Sequence, residues 1–172
     1  TSGAVRMIRE AKAKGIRVSA SVAALNIAFD DSMLRGFDSN FKVLPPLRSR
    51  EDIEALKEGL KDGTIDFVSS NHVPLEEEAK KLEFPYARFG VIGLETAFAL
   101  SCTSLKNELD LENLINLFTI NPRRLFGLDI PRIETGQEAN LTAFDPNEKW
   151  TFTAGDIRSR SKNTPLTGME FQ

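Results

Sequence analysis

The chain has 172 residues, 41% of them hydrophobic and 27% charged, with a formal net charge of −3. That length carries one domain with a real core, or one domain plus part of another, and the acidic balance excludes a surface built mainly for nucleic-acid phosphates. No apolar run reaches the roughly 18 residues that suggest a membrane span.

The single cysteine, Cys102, excludes a disulfide framework and fits a reducing, cytoplasmic compartment. The single histidine, His72, leaves almost no imidazole for a metal. Structural and catalytic zinc sites draw three or four ligands mostly from Cys and His, so no metal is expected from this chain's own side chains.

Residues 2–14 predict a helix, with Val5, Ile8 and Ala11 on one face and Gly15 suited to a left-handed cap. Ile16, Val18 and Ala20 alternate with Arg17 and Ser19, which predicts a short strand over 16–20. Asp30 and Asp31 start a helix near Ser32–Leu34, and Pro45–Pro46 breaks any regular element. Ser49 caps a second long helix, with Glu51 and Asp52 where the helix dipole favours them, ending near Asp62–Gly63. Ile65 to Ser69 reads as a buried strand. A long connection over 71–90 carries a helical piece at 75–82, and loops of that length are usually functional or mobile.

Residues 91–105 predict an apolar helix. Asp110 caps the next, running to about Phe118, and Asn121–Pro122 opens a short one that ends at Gly127. From Ile133 the pattern changes, and Leu141–Phe144 and Trp150–Phe152 read as short strands among Gly, Asn, Asp and Pro. There are no internal repeats. Helix and strand in alternation imply an α/β fold, parallel strands with helical crossovers. A doubly wound sheet and a closed barrel both satisfy that rhythm.

Several segments carry a resemblance. They are Asn40-Phe-Lys-Val-Leu-Pro-Pro-Leu-Arg48, Asp62-Gly-Thr-Ile-Asp-Phe-Val-Ser-Ser-Asn-His-Val-Pro74, Phe89-Gly-Val-Ile-Gly-Leu-Glu-Thr96, and Phe144-Asp-Pro-Asn-Glu-Lys-Trp150 with Ser161-Lys-Asn-Thr-Pro-Leu166. Asn121-Pro-Arg-Arg-Leu-Phe-Gly127 and Gly136-Gln-Glu-Ala-Asn-Leu-Thr142 fit the same pattern. In order and spacing these resemble the dihydroorotases of the amidohydrolase superfamily. The resemblance implies a (β/α)₈ TIM-type barrel with its site at the C-terminal ends of the strands. Residues 1–130 would be the C-terminal part of that barrel, from after strand five through strand eight and the following helices. Residues 131–172 would be a partial small β-sandwich. On that register residues 16–20 are strand six, 41–44 strand seven and 65–70 strand eight.

The family's chemistry, by the same resemblance, uses a metal ion, usually zinc, to acidify a bound water and polarise the ring amide. An aspartate opening the motif Asp-His-Ala-Pro-His binds metal and takes the water's proton. Here the motif reads Asn71-His72-Val73-Pro74-Leu75. Asparagine has the shape of aspartate without charge or useful basicity. The motif's final histidine, a substrate contact in the family, is Leu75. Strand six of the family ends in Pro-His-His, whose first histidine is a metal ligand; that position is Leu25. The asparagine that holds substrate before Pro-Pro-Leu-Arg is Leu44. No catalytic set is intact at Leu25, Leu44, Asn71, His72 and Leu75, while the scaffold motifs remain.

Blander roles cover most of the other conspicuous residues. A lone histidine after a strand reads as a hydrogen-bonded structural residue ahead of a metal ligand. Arg48 pairs with a nearby carboxylate, Glu76 to Glu78 form a solvated face, Cys102 is inert core, and Trp150 and Phe152 pack the sandwich.

The leading functional expectation is a dihydroorotase-like protein of pyrimidine biosynthesis without catalysis, acting as a scaffold or partner subunit. Its expected partners are the N-terminal barrel strands of its own protein, with aspartate carbamoyltransferase and a second copy as candidates. The alternative is an active dihydroorotase or cyclic amidohydrolase whose divergent metal site is completed by the missing N-terminal part. A third reading is a binding protein for a less polar ring compound in a Leu25/Leu44/Leu75 pocket.

Overall fold

A computed structural model describes all 172 residues. Helix α1 spans Ser2–Ala13; the Thr1 hydroxyl caps it, accepting from the Ala4 amide at 3.3 Å, and Val5 is buried beneath it. Strand β1 (Ser21–Ala23) follows and runs straight into helix α2 (Ala24–Ala28). Helix α3 (Arg50–Lys61) is capped by Ser49, whose hydroxyl accepts from the Asp52 amide at 3.3 Å. It leads to strand β2 (Phe67–Ser69), which pairs in parallel with β1, Val22 opposite Val68.

Charge pairs between loop ends and helices lock this first layer. Asp52 of α3 accepts the Ser2 amide at 2.6 Å, Arg9 meets Asp62 at 2.6 Å, and Lys12 meets Asp66 at 2.7 Å. The Ser2 amide pulls Asp52 below the ordinary aspartate value, burial pushes it back, and the Arg48 guanidinium adds to the lowering.

Beyond β2 the chain forms the single-turn α4 (Glu77–Lys80), then α5 (Ala97–Leu105), α6 (Leu111–Phe118) and α7 (Ile120–Phe126). Asp110 caps α6, accepting from the Asn113 amide at 2.8 Å, and Gly127 ends α7 in the left-handed region at φ +65°. Strand β3 (Trp150–Thr151) pairs antiparallel with β4 (Glu170–Phe171). The core is contiguous: Phe152, Ile157, Leu166 and Phe171 join Leu25, Ile27, Val68, Ile92 and Leu100 in one cluster. No helix is long and apolar enough to cross a membrane.

Several elements depart from the sequence reading. The first strand lies at 21–23; residues 16–20 belong to no strand, and Ile16 and Val18 are exposed. Ladder bonds begin where β2 comes alongside, at Ala20, whose carbonyl accepts the Asp66 amide at 2.8 Å. Residues 41–44 form no strand, and β1 pairs directly with β2. Phe41 and Val43 are buried there, but the Lys42 amide closes a turn on Ser39 and the Lys42 carbonyl accepts from Gly90. The apolar helix starts at Ala97, because Val91 bridges to His72 and Gly93 turns the chain beforehand. The helical piece at 75–82 shrinks to α4, and a helix at Ser32–Leu34 is a 3₁₀ turn, Asp31–Gly36, capped by Asp30. Leu141–Phe144 makes no ladder, and Leu141 is exposed. The partner of Trp150–Thr151 comes from residues 170–171, where the sequence reading placed no strand.

Candidate functional site

The two parallel strands end side by side, and the residues singled out by the sequence leave those ends in different directions. Leu25 sits in α2 and is 5% exposed. Together with Ala24, Val91, Ile92, Leu100 and Leu166 it closes down to a residual void of only about 10 Å³. Its neighbour Asn26 is also buried and donates through Nδ2 to the Pro45 and Pro46 carbonyls at 3.2 and 3.0 Å, pinning the Pro-Pro turn against α2. That turn carries Leu44 outward, where it is 63% exposed.

After β2, Asn71 takes a left-handed backbone at φ +46°. Asparagine tolerates that conformation better than most residues with a Cβ. Its Nδ2 donates to the Leu44 carbonyl at 3.0 Å. His72 then bridges to Val91, and its Nδ1 accepts the amides of Gly93 and Leu94 at 3.3 and 3.1 Å. Both bonds run into Nδ1, so the ring proton resides on Nε2. Gly93 is needed at that bend, since a Cβ there would stand 2.7 Å from the Ser70 carbonyl oxygen.

Leu75 turns inward and is 7% exposed. The side chain of Asn163 splints this stretch: Oδ1 accepts the Leu75 amide at 3.1 Å and Nδ2 donates to the Val73 carbonyl at 3.0 Å. A second splint is Glu95, which accepts the Arg158 and Ser159 amides at 3.0 Å each. Burial pushes the Glu95 carboxyl up, but the amides outweigh it and hold the group below its ordinary range.

The structure ties Asn71 to the Leu44 backbone next to His72, and buries the Leu25 side chain among Ser70, Val91 and Gly93. A shared Leu25/Leu44/Leu75 pocket, expected from sequence, does not form among the principal cavities. Leu25 is absorbed by the core, Leu75 lies under the Asn163 splint, and Leu44 faces outward. The other assignments have simple outcomes. Arg48 pairs with Asp52 at 3.3 Å, Glu77 with Lys81 at 2.7 Å, and Glu76 with Arg88 at 3.5 Å. Cys102 is partly buried, and burial pushes its thiol up, away from a reactive thiolate.

Zinc does not fit these residues. Leu25, Leu44 and Leu75 have no lone pair to give and Nδ1 of His72 is filled by two backbone donors, which leaves at most Asn71 Oδ1 and His72 Nε2, fewer than the three protein ligands a zinc site needs. No group of three or more His, Cys, Asp and Glu side chains gathers as a metal cage in this chain.

Two buried cations escaped the sequence reading. Lys80 is 7% exposed and donates to the Arg88 and Gly90 carbonyls at 3.0 Å each, and to Lys42 at 3.4 Å. Lys42 is 9% exposed and donates to the Phe84 and Pro85 carbonyls at 2.7 and 2.9 Å. Its ammonium also stands 4.8 Å from the centre of the Phe89 ring. The pair folds the 81–90 loop onto residues 39–43. Its only trace in the sequence is a charge set into apolar company, Phe41-Lys-Val-Leu44 and Ala79-Lys80.

A parallel pair of strands with a helical crossover, ending in Asn71-His72-Val73-Pro74-Leu75, has relatives. The model of the Amidohydrolase family matches residues 2–170, and the chain belongs to that family. A dihydroorotase of Thermoanaerobacter sp. (strain X514) is 41% identical over 174 residues, taking in 100% of this chain and 40% of that protein. The L-hydantoinase (dihydropyrimidinase) of Arthrobacter aurescens superposes with a TM-score of 0.88 at 27% identity, over 99% of this chain and 39% of that one. The inactive dihydroorotase-like domain of the Chaetomium thermophilum CAD-like multifunctional protein shares the fold, with a TM-score of 0.67 at 19% identity, over 100% of this chain and 44% of that one. The chain thus spans about two-fifths of the length of the curated relatives it matches.

Proposed function

We propose that these residues are the C-terminal part of a (β/α)₈ barrel, with part of its β-sandwich, in a dihydroorotase-like protein of pyrimidine biosynthesis that has lost hydrolysis and serves as a scaffold or partner subunit. The observation that carries this reading is Leu25. At the position where the family's motif places a metal-binding imidazole, an apolar side chain closes into the core and leaves no room for a ligand. Asn71 adds to it: the group in place of the general base is a neutral amide spent on holding the Leu44 loop. The partners that suit this role are the N-terminal strands of the same protein, aspartate carbamoyltransferase, and a second copy.

The identity to proteins named dihydroorotase favours one other reading, an active cyclic amidohydrolase whose metal is held by the remaining part of the protein. Metal content by elemental analysis, with dihydroorotate turnover in parallel, separates the two on the full-length protein. The scaffold reading expects neither metal nor turnover. Stoichiometric zinc with turnover overturns it.

A further inference from the structure

On the flank of the molecule, a polar cleft of about 570 Å³ opens between residues 39–40, the start of α4 and the 160–163 segment. Leu75 is its single hydrophobic lining residue. The charge in this cleft is lopsided in a chain whose net charge is −3. The two carboxylates on its wall are already engaged, Glu77 with Lys81 and Glu76 with Arg88. Lys80, Arg160 and Lys162 have no carboxylate within ion-pair distance. Each of the three is held or free in a way that suits an incoming anion. Lys80 is buried and donates to three carbonyls, which holds its amine in place behind the wall. Lys162 donates to the Ile157 and Ser159 carbonyls at 3.1 and 3.2 Å, which orients the amine and leaves one proton uncommitted. Arg160 is exposed and its guanidinium makes no hydrogen bond in the chain, leaving its planar fork of donors open.

We propose that this cleft binds a small phosphate-bearing anion, with Arg160 and Lys162 as its direct contacts and Lys80 as the charge behind them. A phosphate group accepts from several directions at once, which matches a guanidinium fork, one ammonium proton and the Ser161 hydroxyl on the same wall. The rigid floor comes from Asn163, whose side chain is already tied to Val73 and Leu75. Of the dihydroorotase-like positions only Leu75 lines this cleft; Leu25, Leu44, Asn71 and His72 lie outside it.

The protonation of Lys80 supplies a second signature. Burial lowers its pKa to about 8; Asp38 opposes that and Lys42 adds to it. Lys80 shares the cleft lining with Arg160 and Lys162, and Glu76, Glu77 and Lys81 on the same wall are already paired, so a bound anion adds a new negative charge on the Lys80 side. Anion binding near pH 8 should therefore be accompanied by proton uptake, and affinity should fall as pH rises through that value.

The test is calorimetric titration of the full-length protein with inorganic phosphate and with pyrophosphate, at ionic strength matched with chloride, in buffers of different ionisation enthalpy. The expected result is one saturable site, tighter for pyrophosphate, with proton uptake near pH 8. Arg160→Gln should weaken it by about tenfold or more, the loss of one charge-assisted contact set. Arg132→Gln, which changes an exposed arginine paired with Glu134 away from the cleft, should leave it unchanged. Both arginines are exposed, so both variants should keep the parent's melting temperature. Absence of saturable binding overturns the proposal, as does an equal loss in the two variants.

Discussion

The two parallel strands finish within hydrogen-bonding reach of the same loop, yet their ends are built on opposite principles. After β1 the chain enters α2, where Ala24, Leu25, Asn26 and Ile27 are all buried and packing holds the backbone. After β2 it enters Asn71 and His72, half-exposed, where side-chain-to-backbone bonds on Leu44, Gly93 and Leu94 hold it. The difference shows two ways of fixing a strand end, by packing and by side-chain-to-backbone hydrogen bonds. Leu25 occupies a core position. At position 71 the left-handed backbone and the open carbonyl of Leu44 still reward a short polar side chain, so an amide suits the place.

The largest effect should come from the packed end. Leu25→Ala is expected to destabilise the protein by about 2–5 kcal/mol, because it removes a buried side chain from a site with almost no free volume. Urea unfolding checks it, and a loss under about 1 kcal/mol would mean that this end tolerates a cavity and is not packing-controlled. The bonded end is probed by Asn163→Ala, which orphans the Leu75 amide and the Val73 carbonyl. The buried Leu75 amide accounts for about 1–3 kcal/mol, the part-buried Val73 carbonyl for less, and the local signature is faster hydrogen exchange at Leu75 with little change at Val22. Exchange that speeds up equally at both residues would show that the two strand ends open as one unit.

Acid should sharpen the contrast on the β1 side. The folded pKa of Asp52 lies below its ordinary value of 3.8, so the stability it contributes is present above that value and lost as pH falls toward the folded one. Asp52→Asn should flatten that part of the stability-versus-pH curve, measured as urea midpoints at successive pH values. An unchanged acid slope would mean the Ser2 amide contact does not form. The smallest effect is expected at Leu44, where substitution by alanine should stay within about 0.5 kcal/mol because the side chain already stands in solvent. If Leu44→Ala costs as much as Leu25→Ala, that side chain is covered in the whole protein.

Much of the helical framework was legible in the sequence because its signals are local. Ser49 before Glu51 and Asp52, Asp110 before an amphipathic run, and Gly127 after Phe126 each act through backbone groups within one turn, and α3, α6 and α7 follow them closely. Motif spacing likewise pointed to the family whose model matches residues 2–170. The strands were less legible, since a three-residue ladder is defined by its partner. Val18 and Ala20 alternate as well as Val22 does, but only residues 21–23 lie beside β2. Residues 41–44 look like a strand for the same reason, although the Lys42 backbone bonds to Ser39 and Gly90 instead.

Taken alone, the sequence determined which groups are present at each motif position: an amide at 71, one imidazole at 72, and leucines at 25, 44 and 75. Tertiary structure decided what those groups do. Three identical leucines became a core residue, an exposed tip and a splinted loop anchor, because side-chain environment depends on which distant segment arrives beside it. The buried Lys42 and Lys80 make the same point, since their carbonyl partners come from the 81–90 loop and only folding brings those oxygens to the ammonium groups.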